Sequence, residues 1–337
     1  MNTVDVFDWI RETLRPSACT SDEFIYDDMD SQSCRSLPVV YRPFDPGERW
    51  HWVDRGHILD FLFATRGEGK QLLDFGPGDG WPSVGVARFA GEVVGVDASP
   101  RRVEVCAENA RRLGISNAKF VHAPAGAPLP FEDATFDGVM AASSVEQTPD
   151  PKFTLRELCR VLKPGGRLRI GYEALGAYRN GKEREIWVLG IDNRTCRLVF
   201  YDRHIDEERA DQYGLTLAMS RKDVADLLRS EGRPRTYEGF TVDLLERLRP
   251  RILDARACTL RHPSGRTLAA WLTEAGFSEV IPSNGGGPFA GRLFDSLPEE
   301  RRPRSLEAVE ELLAPLVKIV VEMPAPLSLD PMITAVK

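Results

Sequence analysis

Residues 72–80 read LLDFGPGDG, and this stretch decides the fold of the chain. An apolar strand is predicted to run into three glycines at alternate positions, Gly76, Gly78 and Gly80. Glycine allows the backbone to turn tightly, and it leaves no Cβ in the way of an approaching ligand. A helix is predicted to open at Pro82, where its first turn would supply unpaired N–H groups and positive potential. The stretch therefore predicts a strand–loop–helix unit that binds a ligand through its backbone.

The surrounding sequence, residues 70–175, alternates short apolar runs with amphipathic segments, which is typical of a parallel α/β sheet. Ser99 is a predicted N-cap with Pro100 in the first turn of one helix, and KPGG at residues 163–166 ends another. Five strands are predicted, at residues 71–75, 92–97, 118–123, 136–142 and 167–173. The pattern predicts a doubly wound sheet with helices on both faces.

The α/β alternation breaks after about residue 175 and again at about 283–330. Further predicted elements are a helix from near Asp54, a hairpin of residues 183–192 and 196–206, helices near 220–231, 241–249 and 266–277, and strands at 278–281 and 332–336. We therefore expect an N-terminal extension or lid (1–53), a cofactor-binding core (54–175), an inserted substrate-binding cap (176–263) and the C-terminal part of the core (264–337).

The composition is that of a soluble globular protein, with 42% hydrophobic and 28% charged residues in a chain of 337. It excludes a disordered chain, a coiled coil and a collagen-like repeat. The formal net charge is −7, whereas phosphate binding favours a basic surface, so nucleic acid is not an expected partner. No run of 18 apolar residues is present, so no membrane span is expected. The sequence leaves the oligomeric state open.

The cysteines indicate a reducing compartment. The six of them stand at positions 19, 34, 106, 159, 196 and 258 and form no CxxC pair, so no metal site is expected. Cys106 and Cys159 fall on the apolar faces of predicted helices, where thiols behave as small hydrophobes. The first residues, MNTVDVFDWIRETLR, lack the apolar core of a signal peptide. We therefore expect a cytoplasmic location.

The ligand of the glycine loop is indicated by acidic residues. Asp97 ends the second predicted strand, 17 residues after Gly80, where its carboxylate can accept hydrogen bonds from two ribose hydroxyls. The loop spacing is GxGxG, whereas a dinucleotide loop reads GxGxxG and leaves its helix N-terminus bare for pyrophosphate. Asp74 and Asp79 would repel pyrophosphate and suit a ligand with a sulfonium and an ammonium. These residues favour S-adenosylmethionine over a nicotinamide dinucleotide, which stays open as the alternative.

Four motifs in order resemble a class I S-adenosylmethionine-dependent methyltransferase of the small-molecule type, similar to the domain family called methyltransferase 11. They are LLDFGPGDG, VVGVDAS, LPFEDATFDGVMAASSVEQTPDP and LRELCRVLKPGGRLRI. The resemblance is dense over residues 70–175 and implies a Rossmann-like, seven-stranded, mostly parallel sheet with an inserted cap. It implies S-adenosyl-L-methionine as the cofactor and a small-molecule acceptor as the partner.

The resemblance also implies roles for individual residues. Asp97 binds the ribose hydroxyls, with Ala98 beside it, and Asp74 helps to hold the amino-acid end of the cofactor. The methionine and ribose are lined by Gly76, Gly78 and Gly80. Adenine is contacted by Ala125 and Gly126, although the family often has an acidic residue where this chain has Ala125. Ala141 and Ala142 end the fourth strand and face the methyl-transfer cleft.

The implied reaction is direct displacement, in which a nucleophile attacks the methyl carbon in line with the departing thioether. Positioning and exclusion of water supply most of the rate, and a hydroxyl acceptor also needs a general base. The sequence does not decide among the candidate bases, which are His51, His57, His122, Tyr172, Glu173 and His204. Trp50, His51 and Trp52 form either a lid segment or ordinary packing.

The aromatic residues of the predicted cap hint at an apolar or aromatic acceptor. They are Trp187, Phe200, Tyr201, Tyr213, Tyr237 and Phe240. The alternative is that they build the core of the cap itself. A non-catalytic module that binds S-adenosylmethionine also stays open, because it would keep the same glycines and Asp97.

Overall fold

The computed structural model describes residues 5–20, 23–24, 43–174 and 183–337. Cys34 lies outside these residues, as do the parts of the predicted extension and cap at 25–42 and 175–182. The chain divides into two compact units. The smaller unit takes residues 1–35 and 174–262, and the larger unit takes residues 36–173 and 263–337.

The strands of the described residues, in chain order, are β1 (Ser17–Ala18), β2 (Gln71–Phe75), β3 (Glu92–Asp97), β4 (Ala118–His122), β5 (Phe136–Ala142), β6 (Leu162–Gly171), β7 (Arg184–Gly190), β8 (Cys196–His204), β9 (Arg209–Leu217), β10 (Ile252–Arg261), β11 (Glu279–Ser283) and β12 (Met332–Val336).

The α-helices are α1 (Val6–Trp9), α2 (Arg49–Ala64), α3 (Ser83–Ala87), α4 (Pro100–Arg112), α5 (Pro151–Val161), α6 (Arg221–Ser230), α7 (Val242–Leu248), α8 (Gly265–Glu274), α9 (Gly286–Ser296) and α10 (Leu306–Val320). A short π-helical turn, Ile10–Leu14, continues α1. None of the helices in the described ranges is long and apolar enough to cross a membrane.

The larger unit contains a seven-stranded sheet in the order β11-β12-β6-β5-β2-β3-β4. Strands β2 to β6 pair in parallel, whereas β12 is antiparallel to both β6 and β11. The central strands are apolar because helices cover them: Leu72, Leu73 and Val139 are fully buried. The predicted Rossmann-like, mostly parallel sheet is confirmed. The carboxyl ends of β2, β3, β5 and β6 meet at one edge, where such sheets bind ligands.

Two element boundaries differ from prediction. Helix α2 begins at Arg49 rather than near Asp54, because the Glu48 carboxylate accepts a hydrogen bond from Trp50 N and caps the helix. Strand β6 begins at Leu162 and ends at Gly171, whereas 167–173 was predicted. The extra residues are extended because the chain end pairs with them: Gly165 N donates to Lys337 O at 2.9 Å.

The smaller unit contains a five-stranded sheet in the order β1-β10-β9-β8-β7. The predicted hairpin is confirmed by the antiparallel pairing of β7 with β8. One face of this sheet packs against α1, α6 and α7 around fully buried residues such as Leu198, Phe200 and Leu245. The unit therefore has a core of its own.

A buried ion pair links distant segments of the larger unit. The guanidinium of Arg169 in β6 meets the Asp60 carboxylate in α2 at 2.7 and 3.1 Å, and both side chains are fully buried. Arg169 also donates to the hydroxyls of Ser283 and Thr334, and Gly286 N donates to Asp60 Oδ2. Every strong hydrogen-bonding group of the pair thus meets a partner, which is what makes a buried pair tolerable.

Candidate functional site

The loop after β2 is held by positive backbone angles. Gly76, Gly78 and Gly80 have φ values of 72°, 61° and 102°, a region that side chains disfavour. A Cβ on Gly76 would lie 2.5 Å from Ser144 Cβ, so the loop packs against the segment that follows β5. A Cβ on Gly78 would meet nothing within 4 Å. Gly78 therefore borders open space at the carboxyl edge of the sheet.

The carboxylate of Asp97, at the end of β3, lies against this loop. It is 4% exposed, and its oxygens accept hydrogen bonds from Gly78 N at 3.2 Å and Ser99 N at 2.9 Å. Ser99 in turn caps α4 by accepting from Arg102 N. Asp97 is thus fixed between the glycine loop and the start of α4.

Asp74 connects β2 to the start of α3. Its Oδ2 accepts from Ser83 N at 3.1 Å and from Ser83 Oγ at 2.6 Å. Its Oδ1 is buried and has no hydrogen-bond partner within the described part of the chain. Burial raises the pKa of Asp74 to about 7, although the bonds from Ser83 oppose the shift. A cationic donor beside Oδ1 would satisfy the orphaned oxygen and favour the charged form.

A second acidic group near the loop is Asp54 in α2, which interacts electrostatically with Asp79 of the loop. Burial, together with repulsion from Asp79, raises the pKa of Asp54 to about 6, although Arg55 opposes the shift. The open space at Gly78, the carboxylate of Asp97 and the acidic surroundings of the loop all fit S-adenosylmethionine, which carries ribose hydroxyls, an ammonium and a sulfonium. The acidic groups fit a pyrophosphate poorly, because pyrophosphate is also negatively charged and would be repelled.

The remaining predicted cofactor residues lie along the same sheet edge. Ala98 follows β3, and its carbonyl lies 3.2 Å from His122 Nε2 at the end of β4. Gly126 is exposed with a φ of 73°, in the loop after β4, next to a half-buried Ala125. Ala141 is fully buried near the end of β5, and Ala142 is half-buried. Their contacts with a cofactor stay predictions.

The histidine candidates for a base are dispersed. The Nδ1 atom of His51 accepts from Asp45 N at 3.0 Å, so that lone pair is occupied. Burial lowers the pKa of His57, whose ring lies 5.7 Å from that of Trp81. His204 belongs to the smaller unit, where its Nε2 lies 3.2 Å from Asp211 Oδ2. A catalytic role for any of them stays a prediction.

The tryptophans on either side of His51 have different environments. Trp52 is fully buried and its ring packs edge-on against Phe294 at 5.7 Å. Trp50 is 58% exposed. The packing interpretation therefore describes Trp52, and the lid interpretation stays a prediction for Trp50.

Tyr172 and Glu173, by contrast, directly follow β6 at the carboxyl edge of the sheet, and Glu173 contacts a residue that the sequence reasoning missed. Glu173 N donates to Glu146 Oε1 at 2.7 Å. Glu146 stands in a short 3-10 helix, Val145–Gln147, directly after β5, and it is 3% exposed. An acidic residue just beyond an apolar strand of the sheet was the available signal. The structure thus brings Glu173 together with a buried carboxyl group, and a substrate contact of Tyr172 stays a prediction.

Part of the chain is similar in sequence to known methyltransferases. Residues 73–170 match the family model described as a methyltransferase domain. Demethylmenaquinone methyltransferase of Clavibacter sepedonicus is 41% identical over 103 residues, which is 30% of this chain and 40% of that protein. Sterol 4-C-methyltransferase of Caenorhabditis elegans is 35% identical over 114 residues, 34% of each chain. The match thus spans less than half the length of these relatives.

A solved S-adenosylmethionine-dependent methyltransferase from Clostridium acetobutylicum aligns with 93% of this chain, over 95% of its own, at 10% identity and a TM-score of 0.48. The family match is confined to the segment 73–170 of the 337 residues. Residues 73–170 of this chain are a methyltransferase domain, and that domain implies S-adenosylmethionine as the cofactor.

Proposed function

We propose that this chain transfers the methyl group of S-adenosylmethionine to a small-molecule acceptor by direct displacement. The observation that carries the proposal is the arrangement at Gly78. Its N–H holds the Asp97 carboxylate at 3.2 Å, while the position of a Cβ is open. A nucleoside can approach such a backbone closely and place its ribose hydroxyls on the carboxylate.

In this proposal, different residues of the site bind different parts of the cofactor. Asp97 accepts hydrogen bonds from the ribose hydroxyls. The methionine and ribose are lined by Gly76, Gly78 and Gly80. The Oδ1 atom of Asp74, which has no partner in the described residues, accepts a hydrogen bond from the ammonium group of the cofactor. When bound, the cofactor supplies an electrophilic methyl group on a positively charged sulfur. The acidic loop residues stabilise that positive charge before the reaction and hold the cofactor in one orientation.

The acceptor is proposed to be apolar or aromatic. Two similar proteins are named for methylating demethylmenaquinone and a sterol, both of which are largely apolar. The aromatic residues of the insertion give less support than their number suggests, since Phe200, Phe240 and Tyr213 lie in the core of the smaller unit. Trp187, which is 38% exposed, and the half-buried Tyr201 and Tyr237 are the members that stay partly accessible to a ligand.

The test is transfer of a labelled methyl group. The purified chain is incubated with methyl-labelled S-adenosylmethionine and a metabolite extract, and mass spectrometry identifies any metabolite that gains the label. The proposal predicts label in a small apolar molecule. Label in nucleic acid would contradict the acceptor class. Tight cofactor binding without any transfer would instead support a non-catalytic binding module.

A further inference from the structure

The segment after β5 packs directly on the glycine loop. Ser144 Oγ donates to Phe75 O at 2.6 Å, at the point where β2 ends. The side chain of Ser144 also fills the space where a Cβ on Gly76 would stand. The 3-10 helix that carries Glu146 begins at the next residue. Glu146 therefore stands one short turn from the loop that is proposed to hold the methionine of the cofactor.

One oxygen of the Glu146 carboxyl group is held by a hydrogen bond, and the other is buried without a partner in the described residues. Its Oε1 accepts from Glu173 N at 2.7 Å, which prevents the carboxyl group from rotating. Its Oε2 is buried and, within the described ranges, has no hydrogen-bond partner. A buried oxygen without a hydrogen-bond donor is energetically unfavourable, so the site is incomplete as it stands. An occupant that donates a hydrogen bond to Oε2 would complete it.

The protonation state of this carboxyl group is also suited to proton transfer. Burial raises the pKa of Glu146 to about 7, the Glu173 charge adds to the shift, and the hydrogen bond from Glu173 N opposes it. A carboxyl group with a pKa near the working pH is a better general base than one with the usual, lower pKa. It binds the transferred proton more strongly, and about half of the molecules still have it ionised.

We propose that Glu146 is the general base of the methyl transfer, and that its Oε2 binds the hydroxyl or neutral amine group of the acceptor. The proposal rests on the proposed function and specifies it further: the acceptor atom is an oxygen or nitrogen that carries a proton. The bond from that atom to the methyl carbon forms as the carbon–sulfur bond breaks, and the sulfur keeps the electron pair. The proton passes to Oε2 and then to solvent.

The first test compares three variants by the rate of label transfer from methyl-labelled S-adenosylmethionine into the metabolite extract. Glu146→Gln lowers this rate by about 10²- to 10⁴-fold, the typical contribution of a general base. Its affinity for S-adenosylhomocysteine, measured by calorimetry, stays within about twofold, because the carboxyl group acts on the acceptor. Glu146→Asp keeps the charge and recovers part of the rate. The control, Glu132→Gln, changes an exposed carboxyl group and leaves the rate unchanged.

The second test does not need an acceptor. Carbon-13 NMR of chain labelled at the glutamate carboxyl groups follows each group from pH 5 to pH 9. One resonance is expected to titrate near pH 7 and to be missing from Glu146→Gln, whereas Glu132→Gln retains it. In the wild-type chain, the transfer rate is expected to rise with pH through the same midpoint.

The outcomes separate the two proposals. Full transfer activity in a folded Glu146→Gln chain overturns the role of Glu146 and leaves the methyltransferase proposal intact. Absence of transfer by the wild-type chain overturns the proposed function. The NMR titration then shows the protonation state of Glu146 independently of methyl transfer. If its carboxyl group stays charged, or stays protonated, from pH 5 to pH 9, the proposal that Glu146 accepts the proton is overturned.

Discussion

Cofactor recognition at the scale of single residues depends most on Asp97. Its carboxylate is buried and accepts hydrogen bonds from two backbone N–H groups, Gly78 N of the glycine loop and Ser99 N. Asp97→Asn is expected to weaken S-adenosylmethionine binding by about 1–3 kcal/mol, or roughly 5- to 150-fold, because charge-assisted hydrogen bonds are lost. Isothermal titration calorimetry measures the change, with Glu104→Gln on the exposed side of α4 as the control. An unchanged dissociation constant in folded Asp97→Asn would exclude the ribose assignment.

The acidic residues around the loop predict a pH dependence. The pKa values of Asp54 and Asp74 are raised to about 6 and about 7, so both groups become neutral as the pH falls from 8 to 5. The neutral forms no longer attract a cation, so affinity for S-adenosylmethionine is expected to increase with pH across this range. Bound cofactor lowers both pKa values in turn, and binding near pH 6 should release protons.

The matched probe for that dependence is adenosine, which has the same nucleoside but neither the sulfonium nor the ammonium. Its affinity is expected to stay nearly constant from pH 5 to pH 8, and Asp54→Asn should reduce the pH dependence for the full cofactor. Calorimetry in buffers of different ionisation enthalpy counts the protons released. A flat profile for S-adenosylmethionine itself would show that these acids do not act on the cofactor.

Among the elements, the glycine loop offers a clean comparison between two positions. Gly78 and Gly69 both have positive φ values, 61° and 69°, and in both cases a Cβ would meet nothing within 4 Å. Alanine at either position costs about 1–2 kcal/mol of stability from backbone strain. Only Gly78 borders the proposed cofactor site, since Gly69 precedes β2 at its other end.

We therefore expect Gly78→Ala and Gly69→Ala to lower the melting temperature by similar amounts, whereas only Gly78→Ala weakens cofactor binding, by tenfold or more. Thermal denaturation and calorimetry on both variants test this. Equal cofactor affinity in the two variants would mean that the loop serves only as a turn.

For the larger unit as a whole, the Asp60–Arg169 pair joins α2 and β6 across 109 positions of sequence. Removal of one partner leaves a buried charge, so Asp60→Asn is expected to lower the free energy of unfolding by about 3–5 kcal/mol. The exposed pair of Lys152 and Glu274 is the control, and Glu274→Gln should cost about 1 kcal/mol or less. Chemical denaturation measures both changes, and equal losses would refute the argument from burial.

Local sequence signals predicted most of the molecule. The strands β2, β3 and β5 have the predicted bounds because each is a short apolar run between glycines or caps. Strands β9 and β10 and helix α9 were not predicted. Other missed features depend on distant partners. The early start of β6 requires the backbone of Lys337, and the two-residue strand β1 exists only through its pairing with β10.

The candidate site divides in the same way. The glycines and Asp97 are recognisable because their spacing is local, and the structure does bring them together. The position of Glu146 just beyond an apolar strand is a weaker signal, since only the folded chain shows that one of its oxygens is held by Glu173 while the other is buried without a partner in the described residues. Which histidine lies near which carboxylate is likewise a property of the folded units.

The most direct test of the central claim is a calorimetric titration of the purified, ligand-stripped chain with three compounds in parallel: S-adenosylmethionine, S-adenosylhomocysteine and nicotinamide adenine dinucleotide. The account predicts saturable binding of the first two at one site per chain and no heat for the dinucleotide. Binding of the dinucleotide, with no response to either adenosyl compound, would contradict it.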